Sequence, residues 1–351
     1  MKASQFGFFD EAERLERIRK IHDPLFELAQ FIDFEIFRPT LTEAFAKLQT
    51  ERKSPAGRKP LDPVFMFKIL ILQRNQNLSD PQVELQILDR STFRGFLGIC
   101  GERDVPDFTT VWRFRDALVK TDAIKPLFDA FGAQLEAQGL ILKAGTLVDA
   151  TFVEVPRQRN TREENETIKR GEIPEDWKAN PRKLCQKDTD ARWVKKNEVV
   201  YYGYKNHVKA DAGSKLITDY TVSDASVHDS QRLETLVTER NRGESLFNDS
   251  AYKSQKFDEW LRALGIANYG HLKGSRSHPL SELEKSINKL KSKVRSAVEH
   301  IFGFMENSMG GPRLEYIGQK RISAGIGLSN LTYNMRRYVQ LVKRGWVNQQ
   351  A

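Results

Sequence analysis

Apolar positions at Leu15, Ile18, Leu25, Leu28 and Phe31 keep helical spacing through residues 11–31, with a break at Pro24. Beyond the basic stretch ERKSPAGRKP, Asp62 can cap and Pro63 can start a helix, VFMFKILILQ, whose apolar character almost all round places it in a core. Ser79 and Gln82 have capping-box spacing with Pro81 in the first turn, which predicts a helix to Arg90. Ser91 is placed to cap a short helix ending at Gly98, and Thr109 or Thr110 to open VWRFRDALVK. Residues 1–140 therefore read as helical. Short helices joined by tight turns suit a helix-turn-helix DNA reader, and equally a small helical bundle.

At Ala144 the period changes. GTLVDATFVEV, VVYYGYKNHVKAD and KLITDYTVSDA read as strands, the last two joined by a turn at Asp211–Ser214. Downstream the pattern predicts a helix at 230–241, a strand SLFND, a helix at 254–264, a strand IANYG and a long helix at 280–306. The order βββαβαβα indicates a mixed α/β domain over 141–345 with helices on the faces of its sheet. Between the first two strands, the segment 156–198 is charged and poor in apolar residues, which predicts a surface insert that is partly ordered at best.

Three carboxylates stand where chemistry is plausible. Asp149 interrupts a strand whose neighbours Leu147, Val148, Phe152 and Val153 belong in a core, and a carboxylate is rarely buried there without a partner or a cation. Asp249 ends the SLFND strand, near which ligands collect in open α/β sheets, although NDS is also ordinary turn chemistry. Glu299 falls opposite the apolar face formed by Leu290, Val294, Ala297, Val298, Ile301, Phe304 and Met305. It can border a cleft, or simply pair in solvent with Arg295 four residues earlier.

Composition narrows the class. Hydrophobic residues at 39% and charged residues at 29% describe a soluble globular chain, and no apolar run suggests a membrane span. The N-terminus lacks the pattern of a signal peptide, so a cytoplasmic, nucleoid-associated location is expected. Two cysteines without close spacing support neither a disulfide framework nor a thiolate zinc site. A formal charge of +9 favours polyanion partners.

The segments LVDATFVEV, GYKNHVKAD, VHDS, LFNDSAY and VRSAVEHIFGFM resemble the catalytic half of bacterial insertion-sequence DDE transposases, specifically insertion-sequence family five, within the group whose third signature is Tyr-x2-Arg-x3-Glu-x6-Lys. Upstream, GRKPLDPVFMFKILILQRNQNLSDPQVELQILDRSTFRGFLGI and VPDFTTVWRFRDAL resemble the N-terminal domain of the same family. The resemblance runs over residues 40–340 with the segments in family order. It implies an RNase H-like mixed sheet flanked by helices behind an all-α, helix-turn-helix-like domain. The first Asp of the triad would come from the central first strand, the second from the end of the fourth strand and the Glu from a later helix. These are Asp149, Asp249 and Glu299, with Arg295 matching the signature arginine. Ser292 stands where the signature has Tyr, and Glu306 where it has Lys, both positions used by the family near the DNA end.

The same resemblance implies Mg²⁺, two ions with Mn²⁺ able to substitute, held by the three carboxylates, and DNA cleavage followed by strand transfer from the exposed 3′-hydroxyl. Three crowded carboxylates suit such an ion because they repel one another without it. By resemblance His207 and His228 would line the cleft, although a half-buried strand histidine and a residue beside a helix cap describe them equally well. Double-stranded DNA is the expected partner, with a homodimer bringing two ends together. Candidate DNA contacts are Arg58 and Lys59 in the basic arm, Arg113 and Arg115 on the candidate recognition helix, and Lys291 and Arg295 on the long helix, where Lys285, Lys289 and Lys293 add charge. In the insert, Trp177, Arg192, Trp193, Lys195 and Lys196 mix aromatics with bases, which suits distorted or single-stranded ends. Two alternatives stay open: an RNase H-like nuclease or resolvase that cuts without joining, and a silent DNA-binding descendant of a transposase.

Overall fold

The computed structural model describes residues 9–21, 23–49, 60–196, 198–249, 255–272, 274, 279–311 and 313–346. Its helices are α1 (Asp10–Lys20), α2 (Pro24–Phe31), α3 (Arg38–Gln49), α4 (Pro63–Asn75), α5 (Asp80–Asp89), α6 (Ser91–Leu97), α7 (Phe108–Lys120) and α8 (Ile124–Ala137), followed in the second half by α9 (Arg162–Lys169), α10 (Glu175–Lys178), α11 (Pro181–Leu184), α12 (Leu233–Leu236), α13 (Gln255–Ala263), α14 (Glu282–Ser308) and α15 (Gln319–Lys343). The strands are β1 (Thr146–Glu154), β2 (Arg192–Lys196), β3 (Val199–Asp211), β4 (Ile217–Asp224), β5 (Ser245–Phe247) and β6 (Ala267–Asn268). The chain forms two compact units, residues 1–133 with 334–351, and residues 134–333.

The first unit is all helical. The break before Pro24 occurs because Asp23 accepts the Leu25 N–H and Pro24 takes the first turn of α2. Asp62 caps α4 in the same way, and Met66, Phe67, Ile69, Leu70, Ile71 and Leu72 along α4 are all buried, as its uninterrupted apolar run requires. Phe37 packs on Phe67 at 4.9 Å and on Phe131 at 6.2 Å between ring centroids. The expected capping box closes α5. Two caps differ from expectation. Ser91 is the first residue of α6 and is buried, with Arg90 in the cap position, and Asp107 rather than a threonine caps α7 by accepting the Thr110 N–H.

The second unit is built on one mixed sheet. β1 is central, with β3 antiparallel on one side and β5 parallel on the other; β6 continues parallel to β5. Along its outer edge β3 carries β2 and β4 end to end. This is an RNase H-like mixed sheet with flanking helices, preceded by an all-helical region. Side chains of β1 alternate between two cores. Val148 joins Leu246, Leu233, Leu236, Val237, Phe257, Leu261 and Ile266 beneath α12 and α13. Val153 joins Tyr202, Tyr204, Leu314, Ile322 and Ile326 on the opposite face.

Three expectations change here. The helix expected over 230–241 is instead a 3-10 turn, the four-residue α12 and a second 3-10 turn, because Val237 adopts an extended backbone that ends the helix and lets its side chain enter the core. The insert carries regular structure over its described residues: it holds α9, α10, α11 and β2, and Trp177 is fully buried and donates Nε1–H to Glu164. Lastly α15, a helix of 25 residues outside the expected order, supplies Ile322 and Ile326 to the second core. Among the described residues no helix is long and apolar enough to cross a membrane.

Candidate active site

Asp149 sits in the middle of β1, opposite Val208 of β3. By strand alternation it shares a face with Val153, away from α12 and α13, and α14 supplies its partner there. Asp149 Oδ1 accepts the Ala150 N–H at 2.8 Å and Oδ2 accepts from Arg295 Nη2 at 3.1 Å. The same Nη2 lies 3.9 Å from Asp249 Oδ2. Because β1 and β5 run parallel with Leu147 beside Phe247, the chain two residues on brings Asp249 abreast of Asp149. Asp249 is beyond the last paired residue of β5. Its side chain is 42% exposed against 16% for Asp149.

Burial raises the Asp149 carboxyl above the ordinary carboxylate range. The Arg295 charge and hydrogen bond and the Ala150 N–H oppose that rise without cancelling it, and the Asp249 charge adds to it. On Arg295 burial pulls the other way, yet Asp149, Asp249 and Glu299 together hold the guanidinium above its ordinary value. Arg295 Nε is buried with no hydrogen-bond partner. Arg295 therefore stands between two carboxylates, with Glu299 one helical turn along the same face of α14 and exposed to solvent.

Carboxylate oxygens on two elements facing one positive charge are a donor set that fits a hard divalent cation. Glu299 is not drawn in with them, for among the described residues no three His, Cys, Asp or Glu side chains are gathered to hold a metal.

The other predicted residues separate into groups. His207 is fully enclosed, pairs through Nε2 with Ser223 Oγ at 2.8 Å and is pushed down to about 4, chiefly by burial. It lies opposite Ala150, so it projects from the other face of the sheet and does not line a cleft with Asp149. His228 caps a 3-10 turn by facing Ser230 and is not brought to the acidic pair. Arg115 is turned inward, forked onto Asp80 at 2.5 and 2.7 Å and close to Gln73, so it is a structural ion pair rather than a DNA contact. Arg113 is exposed on the same helix, beside exposed Phe108 and Trp112. Lys291 Nζ donates to the Gly270 carbonyl at 2.8 Å. Arg58 and Lys59 lie outside the described residues. In the insert, buried Trp177 is withdrawn from any nucleic-acid surface and Arg192 donates to the Thr189, Ala191 and Ile168 carbonyls, while Trp193 remains exposed with the Arg157 guanidinium over its ring. Ser292 and Glu306 are both exposed on α14, whereas Leu290, expected on the apolar face, points to solvent.

Comparison with known proteins bears on the same segments. Residues 142–335 match the family profile described as Transposase DDE domain, a span of more than half the chain that contains all three carboxylates. The chain belongs to the DDE transposase domain family. Residues 13–117 of this DDE transposase-family protein also match the family described as Transposase domain (DUF772). Among solved structures, a cryo-EM structure of the piggyBac transposase synaptic complex with hairpin DNA aligns over 95% of this chain and 78% of that chain, at 14% identity and a TM-score of 0.49.

Sequence reasoning did not single out Asn248, Asn268, His271 or Asn288, which link the residue before Asp249 to the chain after β6 and that chain to α14. The signal was present only as spacing: Asn288, Lys291, Ser292, Arg295 and Glu299 fall on one face of a helix.

Proposed function

We propose that this protein is the DNA transposase of an insertion sequence of family five, binding terminal inverted repeats and catalysing metal-dependent phosphodiester cleavage and strand transfer. The observation that carries the reading is the convergence of Asp149 and Asp249 on Arg295, with Glu299 a turn away, in a chain of the DDE transposase family.

Asp149, Asp249 and Glu299 would hold the divalent ions, two of Mg²⁺ or Mn²⁺. When bound, such ions stabilise charge on the transferring phosphoryl group and lower the cost of generating the attacking oxygen. Asp149 gives a rigid anchor because it lies within the β1–β3 ladder, while Asp249 lies beyond the end of β5 and Glu299 is exposed. Until DNA and metal arrive, Arg295 offsets the repulsion between the aspartates. No side chain has to act as nucleophile, since water and then the 3′-hydroxyl of the cut end attack in turn. Arg113, the arm at Arg58 and Lys59, Lys291 and Arg295 are the proposed DNA contacts, and two chains would pair two ends.

Strand transfer separates this reading from a nuclease. A precleaved end carrying the element's terminal repeat, incubated with the protein, supercoiled target DNA and Mg²⁺, is expected to become covalently joined to the target. Hydrolysis of DNA without any joined product would leave a nuclease in place of a transposase.

A further inference from the structure

Asp249 lies past the end of a three-residue strand, yet it faces Arg295 on a separate helix. The chain immediately after β6 joins the two sides. Gly270, His271 and Leu272 run along α14 and are fastened at each residue. Lys291 Nζ donates to the Gly270 carbonyl at 2.8 Å. His271 Nε2 lies 2.9 Å from Ser292 Oγ. Asn288 takes both backbone groups of Leu272, accepting its N–H at 2.9 Å and donating to its carbonyl at 3.0 Å. Asn288, Lys291 and Ser292 lie on the face of α14 that continues to Arg295 and Glu299.

The other side of the strap meets Asn248, the residue before Asp249. Asn248 is almost fully buried and donates to Asn268 Oδ1 at 3.3 Å, and that oxygen also accepts the Gly270 N–H at 2.9 Å. A Cβ at residue 270 would strike Asn248 Oδ1, so glycine there permits the close approach. With its proton on Nδ1, His271 donates to the Asn248 carbonyl at 3.5 Å while Nε2 accepts from the Ser292 hydroxyl, so its ring joins the residue before Asp249 to α14.

We propose that His271 is a positioning residue: through Asn248 and Ser292 it sets Asp249 in register with Arg295 and Glu299. This rests on the transposase reading for its catalytic consequence, but the mechanical claim stands apart from it.

The test uses the full chain with His271→Ala, Ser292→Ala, the double variant and His271→Gln. Hydrogen–deuterium exchange is expected to rise roughly tenfold in peptides covering 245–249 and 286–295 of either single variant, the scale of one lost hydrogen bond, with the remainder of the unit unchanged. The double variant should add nothing further, because both changes cut one connection, and His271→Gln, which keeps a donor and an acceptor, should recover part of the protection. In Mg²⁺-dependent cleavage of DNA bearing the element's ends, His271→Ala should lower kcat on the order of a hundredfold, as a misplacement of about 1 Å does, with KM for DNA unchanged. Parent-like exchange in His271→Ala overturns the proposal, as does exchange raised throughout the unit or a change in KM alone. If the parent itself cuts no DNA, the transposase reading fails while the exchange result still decides the strap.

Discussion

Replacing Arg115 with alanine removes one half of a nearly enclosed ion pair. The side chains of Arg115 and Asp80 are 9% and 18% exposed, and the guanidinium fork meets both carboxylate oxygens. Removing one partner of a buried pair costs about 3–5 kcal/mol because the other charge is stranded; water reaches Asp80 and Gln73 still donates to it at 2.7 Å, so the lower end, about 3 kcal/mol, applies. For a unit of this size that corresponds to a fall in melting temperature of roughly 6–12 °C. The pair also has a pH signature. Burial pushes the Asp80 carboxyl up, but the Arg115 and Gln73 hydrogen bonds bring it below its ordinary value. A depressed carboxylate contributes stability that is present above its unfolded pKa of about 3.9 and is lost as pH falls through the folded value. Arg115→Ala should therefore melt early at neutral pH and converge on the parent under acid, as read by calorimetric scans at several pH values. A variant that melts like the parent at pH 7 but binds DNA more weakly would refute the reasoning and return Arg115 to the DNA surface.

Arg113→Ala should leave the melting temperature unchanged and lower affinity for terminal-repeat DNA, reducing the salt slope of log K by about 1 if the side chain meets one phosphate, as read by fluorescence anisotropy over a salt series. Asp149→Asn should raise the metal-free melting temperature at neutral pH. A carboxyl raised by burial contributes stability below its unfolded pKa and loses it as pH rises through the folded value, so the gain should vanish in acid. Mg²⁺ should stabilise the parent and leave Asp149→Asn unaffected in the same scans. Trp177→Ala should cost about 3–5 kcal/mol of local packing, seen as new proteolytic cuts within 156–198 while β1 and β3 stay protected from exchange.

The parts of this molecule legible from sequence are those where one residue type does one local job. The α4 run, the α5 capping box and the turn at Asp211 all follow from neighbours in the chain. Asp149 stood out because a carboxylate conflicts with a strand of core residues, and the structure resolves that conflict with Arg295. Features decided by distant contacts were not legible. Arg115 and Arg113 look alike in VWRFRDAL, and only the position of Asp80 on another helix turns one inward. The insert reads as solvated because its charges outnumber its apolar residues, yet Trp177 and Ile168 are buried within it and Ala191 joins the core beneath the sheet. His207 was placed near the site by motif, but strand alternation puts it on the opposite face. His271 lies outside every motif, and its contacts exist only once β6 and α14 are side by side.

The most direct test of the central claim is Mg²⁺-dependent cleavage of DNA carrying the element's own ends, by the parent and by Asp149→Asn, Asp249→Asn and Glu299→Gln, with the cut positions mapped to the nucleotide. The account predicts cuts at the transposon boundary by the parent and background levels for all three variants, each still folded by circular dichroism. A variant of any of the three that cuts as well as the parent would contradict the assignment of that carboxylate.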